Sequence, residues 1–323
     1  MKEERYIRAI TEALFEEMTR DESVFILGED VAFPGGAFSA TRGLLEKFGE
    51  RRVRDTPISE SAIMGLASGA ATQGLRPVVE IMFMDFLMVC MDQIVNQLAK
   101  LRYMSGGQYQ LPMVIRTPCG GGINAGPQHS QCLESMFAHI PGLKIVVPAT
   151  PYDVKGLLKA AIRDDNPVLF VENKALYGLK GEIPEEEYLL PIGKADVKRV
   201  GRDVTVVTIS GMVHRSLEAA ELLSKEGIET EVIDLRTITP LDTDTIFKSV
   251  KKTSRLVIAH EAVKAFGIGA EISAIVGEEI IDFLDAPIIR VGAPYAPVPY
   301  NLEREYLPNA GDVIKAIKKA LDY

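Results

Sequence analysis

The stretch VRDTPISESAIMGLASGAATQGLRPVVEIM, residues 53–82, decides the fold. It begins with a strand that ends at Pro57, continues as a helix from Ser61 to Leu75 and returns to a strand from Val78 to Met82. A strand–helix–strand run of this length predicts two parallel strands joined by a helical crossover. Because ligands of open α/β sheets bind where strands end and helices begin, Glu60 becomes a candidate site residue.

The same alternation continues on both sides of this stretch. Segment 178–193 interrupts it with glycines, prolines and an acidic run and contains no strand or helix pattern, so it predicts a linker. The sequence therefore predicts an α/β protein with two doubly wound domains, residues 1–190 and 191–323. The other elements that carry this prediction are the helices Tyr6–Met18, Asp85–Met104, Tyr152–Arg163 and Asp312–Leu321 and the strands Val24–Leu27, Pro112–Arg116, Val168–Val171 and Val204–Ile209.

Composition excludes several classes of protein. The chain has 323 residues and a net charge of −9, which argues against a surface that binds nucleic acid. Its longest apolar stretch, Ile81–Met91, is interrupted by Asp85 and is too short to span a membrane. There are three cysteines with no CxxC pair and no apolar signal-peptide segment at the N-terminus, which predicts a cytoplasmic protein.

The standard phosphate-binding and hydrolytic motifs are missing. GxxxxGK[ST] and GxGxxG do not occur, so the chain carries no self-contained nucleotide-binding fingerprint. GxSxG and HExxH are also absent, which removes the usual evidence for a serine hydrolase or a zinc protease. The chemistry must therefore be sought in less standard segments.

Glu60 and the helix that follows it allow two interpretations each. Glu60 is either a ligand-facing carboxyl group or part of a helix start in which Ser59 is the N-cap. The helix contains Gly65, Gly69 and several alanines, and each interior glycine costs about 1 kcal/mol relative to alanine. Close approach of another backbone explains this composition, either at a subunit interface or inside the domain.

Two further segments carry candidate site residues. CGGGINAGPQHS, residues 119–130, predicts either a mobile loop that presents His129 as a proton donor or a surface loop that ends with Ser130 capping a helix. EIMFMDF, residues 80–86, places bulky apolar side chains at another strand end, where they form either a ring-binding wall or core.

Four motifs in this order resemble the beta subunits of thiamine-diphosphate-dependent dehydrogenases, the first components of 2-oxo acid dehydrogenase complexes. They are DTPISE at 55–60, AGPQHSQ at 125–131, PGLKIVVPATPYDVKGLL at 141–158 and AIRDDNPV at 161–168. Beta chains of pyruvate, branched-chain and acetoin dehydrogenases are all similar, so the substrate stays open. The resemblance implies a thiamine-diphosphate-binding pyrimidine domain followed by a transketolase-like C-terminal domain.

The resemblance also implies roles for individual residues. Glu60 matches the glutamate that hydrogen-bonds the aminopyrimidine ring of thiamine diphosphate, and Phe86 matches an aromatic residue that packs on that ring. His129 matches a loop histidine that assists acyl transfer to the lipoyl arm. A structural potassium site built largely from carbonyl groups matches Met113, Ala161, Ile162, Asp164 and Asn166.

The resemblance implies that this chain holds only part of the cofactor site. Enzymes of this class bind magnesium diphosphate through a GDG segment, whereas Gly311-Asp312 is followed here by Val313. An alpha subunit is therefore expected to hold the magnesium and the diphosphate in an α2β2 heterotetramer. The implied reaction forms a hydroxyalkyl-thiamine intermediate and transfers its acyl group to lipoamide of an acyltransferase component, which the second domain helps to dock.

Two other functions stay open. One is half of a transketolase-like thiamine enzyme, which would bind its cofactor without this alpha subunit. The other is a non-catalytic α/β subunit for binding or electron transfer, which would not need Glu60.

Overall fold

The computed structural model describes residues 1–323, and their contacts divide the chain into two units. The first unit contains residues 1–119 and 136–192, and the second contains residues 120–135 and 193–323. The predicted boundary between residues 190 and 191 lies close to this division. The difference is segment 120–135, which contains His129 and belongs with the second unit.

The first unit is built on parallel strands covered by helices. Six of its strands lie in the order β6-β7-β5-β4-β2-β3, and every adjacent pair is parallel. The elements up to Ile192 are β1 (Lys2–Arg5), α1 (Tyr6–Arg20), β2 (Val24–Gly28), α2 (Leu44–Phe48), β3 (Val53–Asp55), α3 (Glu60–Thr72), β4 (Arg76–Glu80), α4 (Ala99–Met104), β5 (Val114–Cys119), α5 (Glu134–Ala138), β6 (Lys144–Val146), α6 (Pro151–Arg163), β7 (Val168–Asn173) and β8 (Lys180–Ile183).

The core of the first unit explains why most positions of its central strands are apolar. Helices α1 and α6 pack on one face of the sheet, and β2, β5 and β7 are buried at every position. A parallel sheet covered on both faces favours such continuous apolar runs. Helix α6 begins where Pro151 occupies its first turn and Thr150 accepts a hydrogen bond from the backbone N–H of Asp153 at 3.1 Å.

The predicted long helix between Asp85 and Met104 changes its winding along its length. It starts as a 3₁₀ helix at Met84–Cys90, passes through a π-helical segment at Gln93–Leu98 and ends as α4. Such segments often occur near functional sites because they re-aim side chains. Apolar periodicity predicts that a helix is present but not which type it is.

The predicted linker 178–193 contains a strand, contrary to the sequence interpretation. β8 pairs antiparallel with β1, with Lys2 opposite Ile183 and Arg5 opposite Lys180. Both strands are mostly exposed and rich in charged residues, so they show no apolar pattern. The strand is formed by pairing with the distant N-terminus, which local sequence does not reveal.

The second unit repeats the parallel architecture with one antiparallel edge strand. Its sheet has the order β14-β13-β10-β11-β9, in which only β9 runs antiparallel to its neighbour. Its elements are β9 (Asp196–Arg199), β10 (Val204–Thr208), α7 (Gly211–Ser224), β11 (Thr230–Asp234), β12 (Thr237–Thr239), α8 (Thr243–Thr253), β13 (Leu256–Val263), α9 (Ile268–Glu279), β14 (Ile289–Ala293), α10 (Glu303–Tyr306) and α11 (Ala310–Leu321).

Helices α7 and α11 cover one face of this sheet and form its core together with the valines of β10 and β13. Helix α11 begins with a capping box, in which Asn309 and Asp312 each bond to the other's backbone N–H. The prediction of two parallel α/β domains is confirmed. In neither unit does a helix have the length and apolar composition that crossing a membrane requires.

Candidate functional site

Two acidic side chains lie at the carboxyl edge of the sheet in the first unit. β2 and β3 are parallel neighbours, with Gly28 opposite Asp55. Glu29 directly follows β2, and Glu60 follows β3 as the first residue of α3. The backbone N–H of Thr56 donates to the carbonyl of Gly28 at 3.0 Å, which ties these two strand ends together. Both carboxyl groups therefore emerge where open α/β sheets bind ligands.

Glu29 and Glu60 are both buried and influence each other electrostatically. Burial raises the pKa of Glu29, and the negative charge of Glu60 raises it further, while a hydrogen bond from the backbone N–H of Ser59 lowers it. The Oε1 atom of Glu29 has no hydrogen-bond partner in the chain. A buried polar atom without a partner is costly, so this carboxyl group fits a role in contacting a bound polar ligand.

The interpretation of Ser59 as a side-chain cap is wrong. Ser59 occupies the N-cap position of α3, but its side chain makes no capping hydrogen bond. Its backbone N–H is instead directed to Glu29. Glu60 itself lies in the first turn of α3, where a negative charge is favourable at the helix N-terminus, so that part of the alternative agrees with the structure.

Cys90 lies near Glu60, and its environment suppresses the reactivity of its thiol. Burial, followed by the negative charge of Glu60, raises the pKa of the Cys90 thiol to about 12. The thiolate is the reactive form of cysteine, and this environment suppresses it at neutral pH. Cys90 therefore contributes packing beside Glu60 and no redox chemistry.

Phe86 takes part in a series of aromatic contacts in the first unit. Ring centroids are 5.2 Å apart between Tyr177 and Phe38, 5.7 Å between Phe38 and Phe83, and 5.6 Å between Phe83 and Phe86. Phe86 is half-buried, so part of its ring is accessible.

The helix that carries Phe86 is held against the helix that begins with Glu60. The hydroxyl of Ser61 in α3 donates to the carbonyl of Val89 at 2.8 Å. An acidic pair and an aromatic face in one unit fit the aminopyrimidine end of thiamine diphosphate, which needs a partner for a ring nitrogen and an apolar surface for the ring.

A buried ion network lies on adjacent strands of the same sheet. Arg116 donates to Glu80 at 2.8 Å and to both carboxylate oxygens of Glu172 at 2.7 and 3.0 Å. Tyr177 also donates to Glu172 at 2.8 Å. Burial alone would lower the pKa of Arg116, but the two carboxylates outweigh it and raise that pKa. The predicted wall segment 80–86 thus begins with Glu80, which belongs to this ion network, and ends with Phe86, a half-buried aromatic residue.

The five residues predicted to bind potassium lie together at the end of α6 and the start of β5. The carbonyl of Ala161 accepts from the N–H of Asp164 at 3.2 Å, and that of Met113 accepts from Val168 at 2.9 Å. Asn166 donates to the Asp164 carboxylate at 2.9 Å through both its backbone and its side chain.

Two cationic side chains also bind this segment. One nitrogen of Arg76, Nη1, donates to the carbonyls of Ile162 and Asp164 at 3.0 and 3.1 Å, so these two oxygens point to a common place. Arg102 donates to Oδ1 of Asn166 at 2.6 Å. The carbonyl donors fit a hard monovalent cation in kind, but such an ion would share two of them with Arg76. No group of three or more His, Cys, Asp or Glu side chains is placed to hold a metal.

The loop that carries His129 is fixed by two carboxylates of the second unit. The N–H of Gly121 donates to Glu261 at 2.6 Å, and those of Gly122 and Asn124 both donate to Oε2 of Glu303 at 2.8 Å. His129 follows these anchored residues along the chain and is half-buried. The glycine-rich part of the predicted mobile loop is therefore anchored.

The predicted helix start at Ser130 is wrong. The Ser130 hydroxyl donates to Oε1 of Glu303 at 3.4 Å, and helix α5 begins at Glu134. Burial, and to a lesser extent the charge of Glu261, raises the pKa of Glu134 to about 7. The hydroxyl is thus used for a tertiary contact and not for capping.

The glycine-rich helix α3 is not explained by tight packing within its own domain. A Cβ on Gly69 would meet nothing within 4 Å, and Leu66 is 54% exposed on the same side. A Cβ on Gly65 would lie 3.6 Å from Oε1 of Gln93, which is an ordinary contact distance. The alternative, an interface with another chain, stays a prediction.

Sequence reasoning missed Glu29 and Glu303. Glu29 follows the strand Val24–Leu27, so the rule that identified Glu60 could have found it too. Glu303 gives no such signal, because it lies in a four-residue helix and contacts a loop about 180 positions away. Only the folded chain brings that pair together.

Comparisons with known proteins agree with this architecture. Residues 3–180 match the family described as transketolase, pyrimidine binding domain, and residues 193–313 match transketolase, C-terminal domain. A solved structure titled split gene transketolase, inactive beta4 tetramer, superposes with a TM-score of 0.82 over 98% of both chains at 24% identity, which supports the fold.

Curated relatives are similar over nearly their whole length. The chain is 51% identical to the acetoin:2,6-dichlorophenolindophenol oxidoreductase subunit beta of Cupriavidus necator, over 97% of this chain and 96% of that one. It is 49% identical to two proteins of Bacillus subtilis, the 2-oxoisovalerate dehydrogenase subunit beta and the pyruvate dehydrogenase E1 component subunit beta, over 98% of every chain. The chain belongs to the family of 2-oxo acid and acetoin dehydrogenase beta subunits, built from a transketolase pyrimidine-binding domain and a transketolase C-terminal domain.

Proposed function

We propose that this chain is the beta subunit of a thiamine-diphosphate-dependent dehydrogenase that cleaves a 2-oxo acid or acetoin and passes the acyl group to lipoamide. The observation that carries the proposal is the buried pair Glu29 and Glu60 at the carboxyl edge of a pyrimidine-type domain. Relatives named for pyruvate, 2-oxoisovalerate and acetoin are equally similar, so the substrate is assigned as a class.

Glu60 is proposed to hold a proton at the ring nitrogen of the aminopyrimidine. Thiamine diphosphate, when bound, supplies a nucleophilic carbon that attacks the carbonyl group of the substrate. The carboxyl group of Glu60 exchanges a proton with the ring nitrogen and so favours the ring form that acts as a base. Glu29, whose pKa is raised, retains a proton more readily than an exposed acid and supports this exchange.

Phe86 and His129 are proposed to act on the ring and on the acyl group, respectively. Phe86 is a half-buried member of the aromatic series, and a flat ring can pack on its accessible part. His129 follows the anchored loop and is proposed to hold or donate a proton during acyl transfer to the lipoyl arm.

The partner is proposed to be an alpha subunit in a heterotetramer of two alpha and two beta chains. This chain has no GDG segment, so the alpha subunit is assigned the magnesium ion and the diphosphate. The exposed face of α3, with Gly69 and Leu66, is proposed to contact another chain of this assembly. The second domain is proposed to help dock the lipoyl acyltransferase. The proposed cellular compartment of the complex is the cytoplasm.

A structural potassium ion is a further part of the proposal. It would be held by Met113, Ala161, Ile162, Asp164 and Asn166, whose carbonyl groups lie together at the end of α6. The ion would supply positive charge to a turn that Arg76 already binds, and no chemical step depends on it.

The deciding experiment compares Glu60→Gln with Glu50→Gln, an exposed glutamate of the same unit, in the reconstituted alpha–beta complex. Glu60→Gln should lower reduction of 2,6-dichlorophenolindophenol by about 100-fold or more while assembly stays normal, because one proton-transfer group is typically responsible for such a factor. Glu50→Gln should have no effect on either measurement.

Other results would select the alternative functions. Near-normal turnover in Glu60→Gln would favour a non-catalytic binding or electron-transfer subunit. Tight, magnesium-dependent binding of thiamine diphosphate by this chain alone would favour a transketolase-like enzyme, because a half-site lacks the groups for the diphosphate.

A further inference from the structure

The loop before His129 has a backbone shape that binds anions. Gly120, Gly122 and Asn124 all have positive φ, at 84°, 102° and 55°, while Gly121 between them does not. Alternation of this kind turns neighbouring N–H groups toward one side and forms a concave site for negative charge. In this chain the concave side faces carboxylates of the protein itself.

Glu303 is the main occupant of this site. One of its oxygens, Oε2, accepts from Gly122 and Asn124 at 2.8 Å each, and its other oxygen accepts from Ser130. Its side chain is only 3% exposed, and no cation pairs with it. Charge-assisted bonds of this length are among the stronger hydrogen bonds in proteins. A single carboxylate thus connects residues 122 and 124, which lie seven and five positions before His129, with residue 130, which directly follows it.

Helix α10, which carries Glu303, is itself held firmly. The Tyr306 hydroxyl donates to the carbonyl of Ala296 at 2.8 Å, and Tyr306 packs with Ala293, Val298 and Leu307 in a small apolar cluster. The carboxylate therefore projects from a fixed element. A group that positions a loop must be attached to such an element to be effective.

Gly121 shows how closely the loop lies on α10. A Cβ at this position would be 2.8 Å from Cδ1 of Leu307 and 3.1 Å from the carboxyl carbon of Glu303. Any side chain there would push the loop off its support. The glycine at position 121 is thus explained by a close approach to α10, since its φ does not require glycine.

We infer that Glu303 is a positioning residue that fixes the loop so that His129 is presented for acyl transfer to lipoamide. This inference rests on the proposed function, because it assumes the role given to His129. Glu303 touches backbone groups of the loop, and its effect on the reaction passes through the position of His129. Loss of the clamp should therefore slow acyl transfer more than the earlier steps, which do not use His129.

The test uses Glu303→Ala, Glu303→Gln and the neighbouring exposed control Glu305→Ala in the reconstituted complex. Hydrogen–deuterium exchange of the amides of Gly122 and Asn124 should become about 10-fold faster or more in Glu303→Ala, because their acceptor is gone. The rate of lipoamide acylation divided by the rate of dye reduction should fall about 10-fold. Glu303→Gln should lie between, since its amide oxygen still accepts, and Glu305→Ala should match the wild type.

A parallel His129→Ala variant distinguishes the role proposed for His129 from the role inferred for Glu303. It should lower the same ratio without changing exchange in the loop. A normal ratio in both Glu303 variants beside a lowered ratio in His129→Ala overturns the inference and leaves the proposed function standing. A normal ratio in His129→Ala overturns the role proposed for that histidine, and the inference with it. If Glu303→Ala does not fold, the ratio and exchange in Glu303→Gln decide the question.

Discussion

Two buried carboxylate sites, one in each unit, are compensated in different ways. In the first unit, Glu80 and Glu172 share the guanidinium of Arg116 inside the sheet. In the second unit, Glu303 is compensated by backbone N–H groups, with no cation beside it. The first solution pairs full charges, and the second uses peptide dipoles.

The difference shows which acids are available for chemistry. A carboxylate that is saturated by a guanidinium or by N–H groups has its proton affinity and position fixed by the protein. Glu29 accepts a hydrogen bond from the backbone N–H of Ser59, but its Oε1 atom has no partner, and the charge of neighbouring Glu60 has the same sign as its own. Buried acids left in that state are the ones that a bound ligand is expected to satisfy.

The second unit also keeps a buried histidine neutral. Burial lowers the pKa of His260 to about 4 against a hydrogen bond with the carbonyl of Ala262, which raises it, and the charge of Arg290 lowers it further. The ring is surrounded by Gly267, Gly269 and Gly292, where any Cβ would crowd it. The crowded, buried ring therefore has little room to rearrange on protonation, and burial outweighs the hydrogen bond to Ala262.

The largest expected effect comes from removing the cation of the first unit. Arg116→Met leaves Glu80 and Glu172 buried without a counter-ion, and breaking a buried pair in this way costs about 3–5 kcal/mol. Urea denaturation should show this loss in the free energy of unfolding. Arg215→Met is the matched control, because its partner Glu218 is exposed, and it should cost less than about 0.5 kcal/mol. Equal effects of the two variants would mean that the network is not a buried charge pair in solution.

A smaller effect is expected from His260 as the pH falls. The folded chain holds this ring neutral down to pH near 4, whereas an unfolded chain protonates it below its ordinary pKa of 6.5. Stability from this group is therefore complete above pH 6.5 and is lost as the pH falls toward 4. Between pH 7 and pH 5 the loss should be about 2 kcal/mol.

The measurement compares the pH dependence of unfolding in the wild type and in His260→Asn. The raised pKa of Glu134 acts in the opposite direction, since its contribution is lost as the pH rises from 4.5 toward 7. Because Glu134 is present in both proteins, the difference between their pH profiles isolates His260. His139→Asn, at an exposed histidine, should leave the wild-type profile unchanged. A difference between wild type and His260→Asn that does not vary with pH would contradict the prediction.

The fold was predictable because both sheets are buried on two faces. Runs such as Val24–Leu27 and Val204–Ile209 show this as continuous apolar sequence, and the helices between them have a regular period. The pairing of β1 with β8 was not predictable, since both strands are exposed and lie far apart along the chain. The winding of residues 84–104 was also missed, because 3₁₀, π and α helices share similar apolar spacing.

The candidate site divides in the same way. Glu60 was identified from its place between a strand and a helix, which is a local property of the sequence. The neutral state of His260 depends on burial, and the contacts of Glu303 with residues 122 and 124 join positions more than 100 residues apart. Local sequence indicates which residues could take part in chemistry. Only the folded structure shows which of them already have hydrogen-bond or ion-pair partners within the chain.

The smallest effect on the chain itself is expected at Gly69, where the two units can be compared through their helices. Gly69 in α3 and Gly277 in α9 are both helical glycines whose added Cβ would meet nothing within 4 Å. Leucine at either position should change the stability of the isolated chain by no more than about 1 kcal/mol, since it has the higher helix propensity.

The two leucine variants should differ in assembly. If the face of α3 contacts another subunit, Gly69→Leu inserts a bulky side chain where two backbones approach. Overpacking of this kind typically costs about 1–3 kcal/mol, so association should weaken by about 10-fold or more. Analytical ultracentrifugation of mixed alpha and beta subunits measures this directly. Gly277→Leu should assemble normally, because its helix is not assigned to the interface. Normal assembly of both variants would place the contact elsewhere and leave the glycines of α3 without an explanation, since nothing in the chain itself requires the space at position 69.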